Sequence, residues 1–186
     1  MKIGIFSGTF DPFHNGHLKV CLSSAHELKL DKVLVLLEKN PNLKTKVTPH
    51  QQRQKIIELS ISDYPDIEYI DTRQNQITFE HSPKKIQEAF PGAEMFMIIG
   101  EDLLEHIEEW VGFDEFNHSN KLVVISRSDK FSDKTKAHAK KLGAFLLPCV
   151  HESASSSKVK KQIHETRSSN LVNQEALHYI LDNNIY

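Results

Sequence analysis

Six short apolar runs punctuate the chain, and segments with helical spacing lie between them. The runs are residues 2–6 (KIGIF), 32–37 (KVLVLL), 67–71 (IEYID), 95–99 (MFMII), 122–126 (LVVIS) and 144–147 (AFLL). Continuous runs of this length suit strands covered on both faces, which is the setting of a parallel sheet. Parallel strands need crossovers, and the intervening segments read as helices. Leu18, Leu22, Ala25 and Leu28 keep the helical period after the first run. Thr48-Pro49-His50-Gln51 reads as a capping box with proline at the first helical position, continued by Ile56, Leu59 and Ser60. Further helices are expected over 79–90, over 102–110 with Leu103, Ile107 and Trp110 on one face, and over 132–142. Two more follow at 156–165 and 173–182, the second with Leu177, Ile180 and Leu181 inward. Alternation of this kind predicts a doubly wound α/β architecture with C-terminal helices, in one domain over residues 1–186.

Composition narrows the partners. The formal net charge is -2, so no basic surface argues for nucleic acid, although a local basic pocket remains compatible with that average. Cys21 and Cys149 are far apart and form no C-x-x-C pair. They fit small core residues in a reducing cytoplasm. The start, MKIGIFSGTF, lacks the apolar core and cleavage site of a signal peptide. No apolar stretch approaches the roughly eighteen residues of a transmembrane helix. A cytoplasmic protein without membrane or nucleic-acid partners is expected, and a homo-oligomer stays open.

The loop after the first run, SGTFDPFHNGH (residues 7–17), carries the chemistry. It lies at the carboxyl end of a strand, where ligands bind in an open parallel sheet. Gly8 permits close approach of the backbone or positive φ. Asn15-Gly16 is a turn signal ahead of the next helix. The first N–H groups of that helix, with the dipole behind them, would form an anion site, and His14 and His17 would add donors. No GxxxxGK[ST] or GxGxxG occurs in the chain. A zinc reading of H-x-x-H lacks a third ligand at a sensible spacing, so no metal site is assigned. On physical grounds alone, the segment also fits a loop stiffened by Asp11-Pro12 with capping histidines.

GTFDPFHNGH, residues 8–17, resembles the GTFDPxHxGH signature of the nucleotidyltransferase α/β phosphodiesterase superfamily. The resemblance implies a Rossmann-like fold. It also implies a triphosphate cradle from Gly8, Thr9, Phe10, His14 and His17, with the two histidines on the phosphates. Residues 154–160 (ASSSKVK) stand where the superfamily carries ISSTxIR. There Ser155, Ser156, Ser157 and Lys160 would bind ATP. Lys160 replaces arginine, losing the planar fork but keeping the charge. Read alone, the same serines could simply cap a helix.

Three further stretches resemble nicotinate-nucleotide adenylyltransferases. They are MFMIIGEDLLEHIEEWVGFDEF (95–116), LVVISR (122–127) and LVNQEALHYILDNNIY (171–186). By that resemblance Gly100 and Asp102 flank the nucleotide ribose, Trp110 lies at the pyridine ring and Arg127 near phosphate. Two motifs depart from the family. Asn40-Pro41-Asn42-Leu43-Lys44 replaces PPHK, with Lys44 the catalytic candidate that closes over phosphate. Gln76-Ile77-Thr78 keeps only the threonine of S-Y-T, and Val111 replaces an aromatic. Thr78 stays with the mononucleotide set. Each residue has a plainer explanation: Trp110 in a core, Asp102 and Thr78 as caps, Lys44 and Arg127 as surface charges. Arg53 reads as structural.

The implied reaction transfers AMP from ATP to nicotinate or nicotinamide mononucleotide, with release of pyrophosphate, in NAD biosynthesis. Magnesium would arrive with the ATP. The SSSxVK form of the second motif also resembles phosphopantetheine adenylyltransferases, though these lack the IG-x-D…W segment. A cytidylyltransferase ranks below that alternative, and a nucleotide sensor that binds without turnover is supported only by the altered substrate region, with both intact histidines against it.

Overall fold

The computed structural model describes residues 1–39, 46–71, 78–79, 81–126, 130–148 and 154–186. Strands β1 (Lys2–Gly8), β2 (Lys32–Leu37), β3 (Ile67–Ile70), β4 (Glu94–Gly100), β5 (Lys121–Ser126) and β6 (Phe145–Pro148) form a parallel sheet in the order β3-β2-β1-β4-β5-β6. Each run that reads as apolar in the sequence becomes one strand. The reason is visible in β2, where the twofold period sends Val33, Val35 and Leu37 to one face and Leu34 and Leu36 to the other. Both faces are covered, so neither set can be polar.

Helices α1 (Asn15–Leu28), α2 (His50–Ile61), α7 (Ser156–Thr166) and α8 (Gln174–Asp182) cover the first face. Their inward residues include Val20, Cys21, Ile56, Ile57, Val159, Ile163, Leu177 and Ile180. Helices α3 (Ser82–Ala89), α4 (Glu101–Leu104), α5 (Phe113–Ser119) and α6 (Asp133–Leu142) cover the second, around Ile86, Leu104, Phe113, Phe116 and Ala139. The sheet is therefore doubly wound, as its sequence pattern predicts.

Three local expectations are corrected. The helix expected over 102–110 is broken into α4 and a 3-10 turn at Ile107–Glu109. Leu104 and Ile107 point inward, whereas Leu103 and Trp110 are exposed. Gly112, at φ 82°, then turns the chain into α5, a helix with no separate signal in the sequence pattern. The helix expected from 79 begins at Ser82, because Phe79 turns into the core against Phe113 and Phe116. The capping box at 48–51 does not form: Pro49 is the N-cap and no side chain caps α2. Cys21 is buried as expected, and Cys149 lies outside the described residues. Among the described residues no helix is long and apolar enough to cross a membrane.

Candidate active site

Strands β1 and β4 are neighbours, but their chains leave in opposite directions: β1 leads through α1 to β2, and β4 through α4 and α5 to β5. Their carboxyl ends flank the switch point where an open α/β sheet leaves a crevice. Residues 9–14 and Gly100 with α4 border it.

The first loop is held from several sides. Phe10 takes a left-handed backbone (φ 44°), and its ring packs against Phe6, Phe13 and His17. A Cβ at Gly8 would lie 3.0 Å from that ring. Gly8 is therefore needed for room rather than for positive φ. Phe10 itself is 4% exposed, its ring packed into the core rather than open to the crevice. Thr9 Oγ1 donates to Glu38 Oε2 at 3.4 Å.

Helix α1 starts at Asn15, with His14 as N-cap. The His14 N–H donates to His17 Nδ1 at 3.3 Å. That contact assigns the tautomer: a neutral His17 carries its proton on Nε2, which is then the ring's donor. The two rings stack with centroids 3.7 Å apart and planes 18° apart. The main-chain anion site is smaller than the sequence implies. The Asn15 N–H is taken by Leu171 O at 2.8 Å and the His17 N–H by His14 O at 2.8 Å. Donors for an anion thus come chiefly from side chains.

The second motif meets the first. Ser155 is the N-cap of α7, its hydroxyl accepting from the Lys158 N–H at 3.2 Å. Ser156 Oγ donates to Pro12 O at 3.0 Å, tying α7 to the first loop. Ser157 is exposed beside it. Lys160 Nζ contacts Asp11 Oδ2 at 2.5 Å. The serine pair therefore contains both a cap and a bridge, so a purely capping role holds for Ser155 alone.

A Cβ at Gly16 would meet His14 Cε1 and Nδ1 at 3.0 Å and the Ala154 Cβ at 3.4 Å. His14 is only 5% exposed and stacked on His17, so it can make room only by shifting together with that ring. We expect Gly16→Ala to lower kcat about tenfold by tilting the imidazole pair. Its unfolding midpoint should stay near wild type, because alanine is the better helix residue. A kcat within twofold of wild type would remove the packing role given to Gly16.

Asp11 is the buried hub. Tyr186 OH donates to its Oδ1 at 2.6 Å, and Lys160 holds its Oδ2. Burial pushes this carboxyl up, but hydrogen bonds from Lys160, Tyr186 and Thr48 outweigh it and hold it below the ordinary aspartate range. Arg53, 1% exposed, fixes the loops around it. It donates to Thr48 O (2.7 Å), Thr9 O (2.6 Å), Glu38 O (2.9 Å) and Lys39 O (3.1 Å). Burial lowers its pKa against the pull of Asp11, Tyr186 and Glu38. Its structural reading from sequence agrees with this geometry. Asp11 and Tyr186 received no role from sequence. An aspartate before proline signals only a turn, and nothing local links it to residues 149 and 175 positions away.

At the other wall, Gly100 is the N-cap of α4. A Cβ there would collide with the Asp102 carboxylate, which folds back over the main chain. Glu101 Oε1 accepts from the buried Ser126 hydroxyl at 3.0 Å, anchoring α4 to the end of β5. Trp110 is 37% exposed and tilted against Phe79 at 5.8 Å. It is neither on a helix nor in the core. Thr78 is not the cap of α3, whose N-cap is His81; its hydroxyl accepts from the His81 N–H at 3.2 Å in the turn before that helix. Lys44 and Arg127 lie outside the described residues.

The cytidylyltransferase-like family model matches residues 5–162. A Clostridium botulinum protein named "Probable nicotinate-nucleotide adenylyltransferase" is 30% identical, over 100% of this chain and 98% of its own. A Lactococcus lactis protein of the same name is 31% identical, over 79% and 77%. Among solved structures, the fold is similar to the Plasmodium falciparum nicotinic acid mononucleotide adenylyltransferase complexed with NaAD. The TM-score is 0.81 at 20% identity, covering 100% of this chain and 97% of that one.

Proposed function

The chain belongs to the cytidylyltransferase-like family and, within it, to the nicotinate-nucleotide adenylyltransferases, and from that membership we propose how its residues carry the reaction. It is a nucleotidyltransferase of NAD biosynthesis that moves AMP from ATP to a pyridine mononucleotide. The acceptor is nicotinate mononucleotide, the substrate in its relatives' names. A 5'-phosphate oxygen of the acceptor attacks the α-phosphorus of ATP. The bond from that phosphorus to the bridging oxygen breaks, and pyrophosphate leaves with the electron pair.

The nucleophile is already ionised at neutral pH, so no base is required. Alignment and charge stabilisation supply the rate. The observation that carries this reading is the stacked His14–His17 pair at the switch point, with His17 Nδ1 accepting from main chain so that Nε2 carries the ring proton. His14 and His17 contact the phosphates at the reacting centre. Ser156, Ser157 and Lys160 take the β- and γ-phosphates, with Ser155 shaping that helix end. Gly8, Thr9 and Phe10 line the cradle with main chain. Gly100 and Asp102 flank the adenosine ribose, and Trp110 stacks on the pyridine. Thr78 and Arg127 complete the mononucleotide site, and Lys44 closes over the phosphates. Among the described residues no three His, Cys, Asp or Glu side chains converge. Magnesium carried by the triphosphate would supply charge neutralisation at the reacting phosphates.

The test is pyrophosphate release with magnesium and ATP, offering nicotinate mononucleotide, nicotinamide mononucleotide and phosphopantetheine in parallel. We expect release matched by dinucleotide formation, with nicotinate mononucleotide the best acceptor. Release with phosphopantetheine alone, or ATP binding without any release, would overturn the assignment.

A further inference from the structure

We propose that Tyr186 is a positioning residue for the triphosphate site, holding Asp11 and Lys160 so that the Lys160 ammonium is presented to the β- and γ-phosphates. The proposal rests on the phosphate role given to Lys160 under Proposed function.

The geometry is a three-membered contact. Lys160 Nζ lies 2.5 Å from Asp11 Oδ2 and 4.7 Å from the centroid of the Tyr186 ring. The Tyr186 hydroxyl donates to Asp11 Oδ1 at 2.6 Å. An ammonium on a four-carbon stem is flexible, and ordering it on binding costs entropy. Here a carboxylate and an aromatic face restrain it before any ligand arrives, which reduces that cost.

The hydroxyl contributes separately. An Asp11 with both oxygens available could draw Lys160 fully inward. Tyr186 donates to Oδ1 while Lys160 contacts Oδ2, so each donor has its own oxygen and the ammonium keeps two of its three N–H donors for another anion. The exposures agree: the Lys160 side chain is 35% exposed and that of Asp11 only 6%. The cation is thus the member of the pair that faces outward. Tyr186 is held in turn through α8. Its neighbour Ile185 is 5% exposed and donates its N–H to Ile180 O at 3.0 Å. Burial and the hydrogen bond to Asp11 both push the phenol up, so it remains a donor across the working pH range.

Steady-state kinetics with magnesium-ATP and nicotinate mononucleotide on the full chain test this. Tyr186→Leu should raise KM for ATP about tenfold, and Tyr186→Phe, which keeps the ring, about threefold. KM for the mononucleotide should stay within about twofold in both, since the contact is to Lys160 rather than to the acceptor side. In the Lys160→Ala background, Tyr186→Leu should add less than about twofold, because the two residues act as one unit. The proposal is overturned if both tyrosine variants leave KM for ATP unchanged, if both KM values rise alike, or if the effects multiply in the double variant. Lys160→Ala separates the two levels of the argument. An unchanged KM for ATP in that variant removes the phosphate role and the proposal together. A raised KM there, with inert tyrosine variants, removes only the proposal. If Tyr186→Leu fails to fold, Tyr186→Phe decides.

Discussion

Replacing His17 with alanine should lower kcat by about 10²–10³, the loss that follows removal of one preorganised transition-state donor. The expectation has a specific origin. Negative charge moves onto the leaving pyrophosphate as the α-phosphorus transfers, and His17 Nε2 carries the proton that can answer it. Its other nitrogen is committed to the His14 N–H. The same substitution removes the stacking partner of His14, so the effect includes some loss of alignment. KM for ATP should change far less than kcat, because the interaction strengthens as charge develops. His17 is only partly buried and lies at the N-terminus of α1, so the unfolding midpoint should stay close to wild type. Parallel measurement of kcat, KM for ATP and thermal unfolding separates these effects. A loss in kcat below threefold would remove His17 from the reacting centre.

Arg53→Ala should cost stability rather than chemistry, by about 3–5 kcal/mol, as expected when a buried, hydrogen-bonded charge is deleted. The guanidinium bonds four carbonyl oxygens from three segments: Thr9 after β1, Glu38 and Lys39 after β2, and Thr48 before α2. Deletion strands these acceptors and leaves a hole where the largest fully buried side chain among the described residues stood. Urea unfolding should show a midpoint well below wild type, with an unchanged slope. Arg53→Lys should rescue little, since one ammonium cannot span the spread that a planar fork covers. If the Arg53→Ala midpoint fell by less than the equivalent of about 1 kcal/mol, the four bonds would not be the clamp on these loops.

Much of the site was legible because its signals are local. The loop after β1 is a contiguous stretch, and its spacing of histidines, glycines and proline survives as geometry around His14 and His17. Ser155–Ser157 at the start of a helix were equally readable, since capping depends on three or four neighbouring residues. Trp110 was misplaced. The helical period placed it inward beside Leu103, but the chain breaks after α4 and Leu104 goes inward instead. Short apolar segments near glycine carry too little periodicity to locate such a break. Gly8 and Gly16 were readable as special positions, but what they make room for was not.

By itself the sequence determined the sheet and its winding. Strands buried on both faces must be continuously apolar, and parallel pairing demands a crossover after each, so alternation along the chain implies the architecture. It also placed the histidine-bearing loop at the end of β1. Only the tertiary structure decided how that loop is held. Asp11 meets Lys160 across 149 positions and Tyr186 across 175, and Arg53 joins loops that no local pattern connects. Such contacts exist because α7 and the segment after α8 pack on the first face of the sheet beside the loop that follows β1. A buried carboxylate there must find donors wherever the fold brings them.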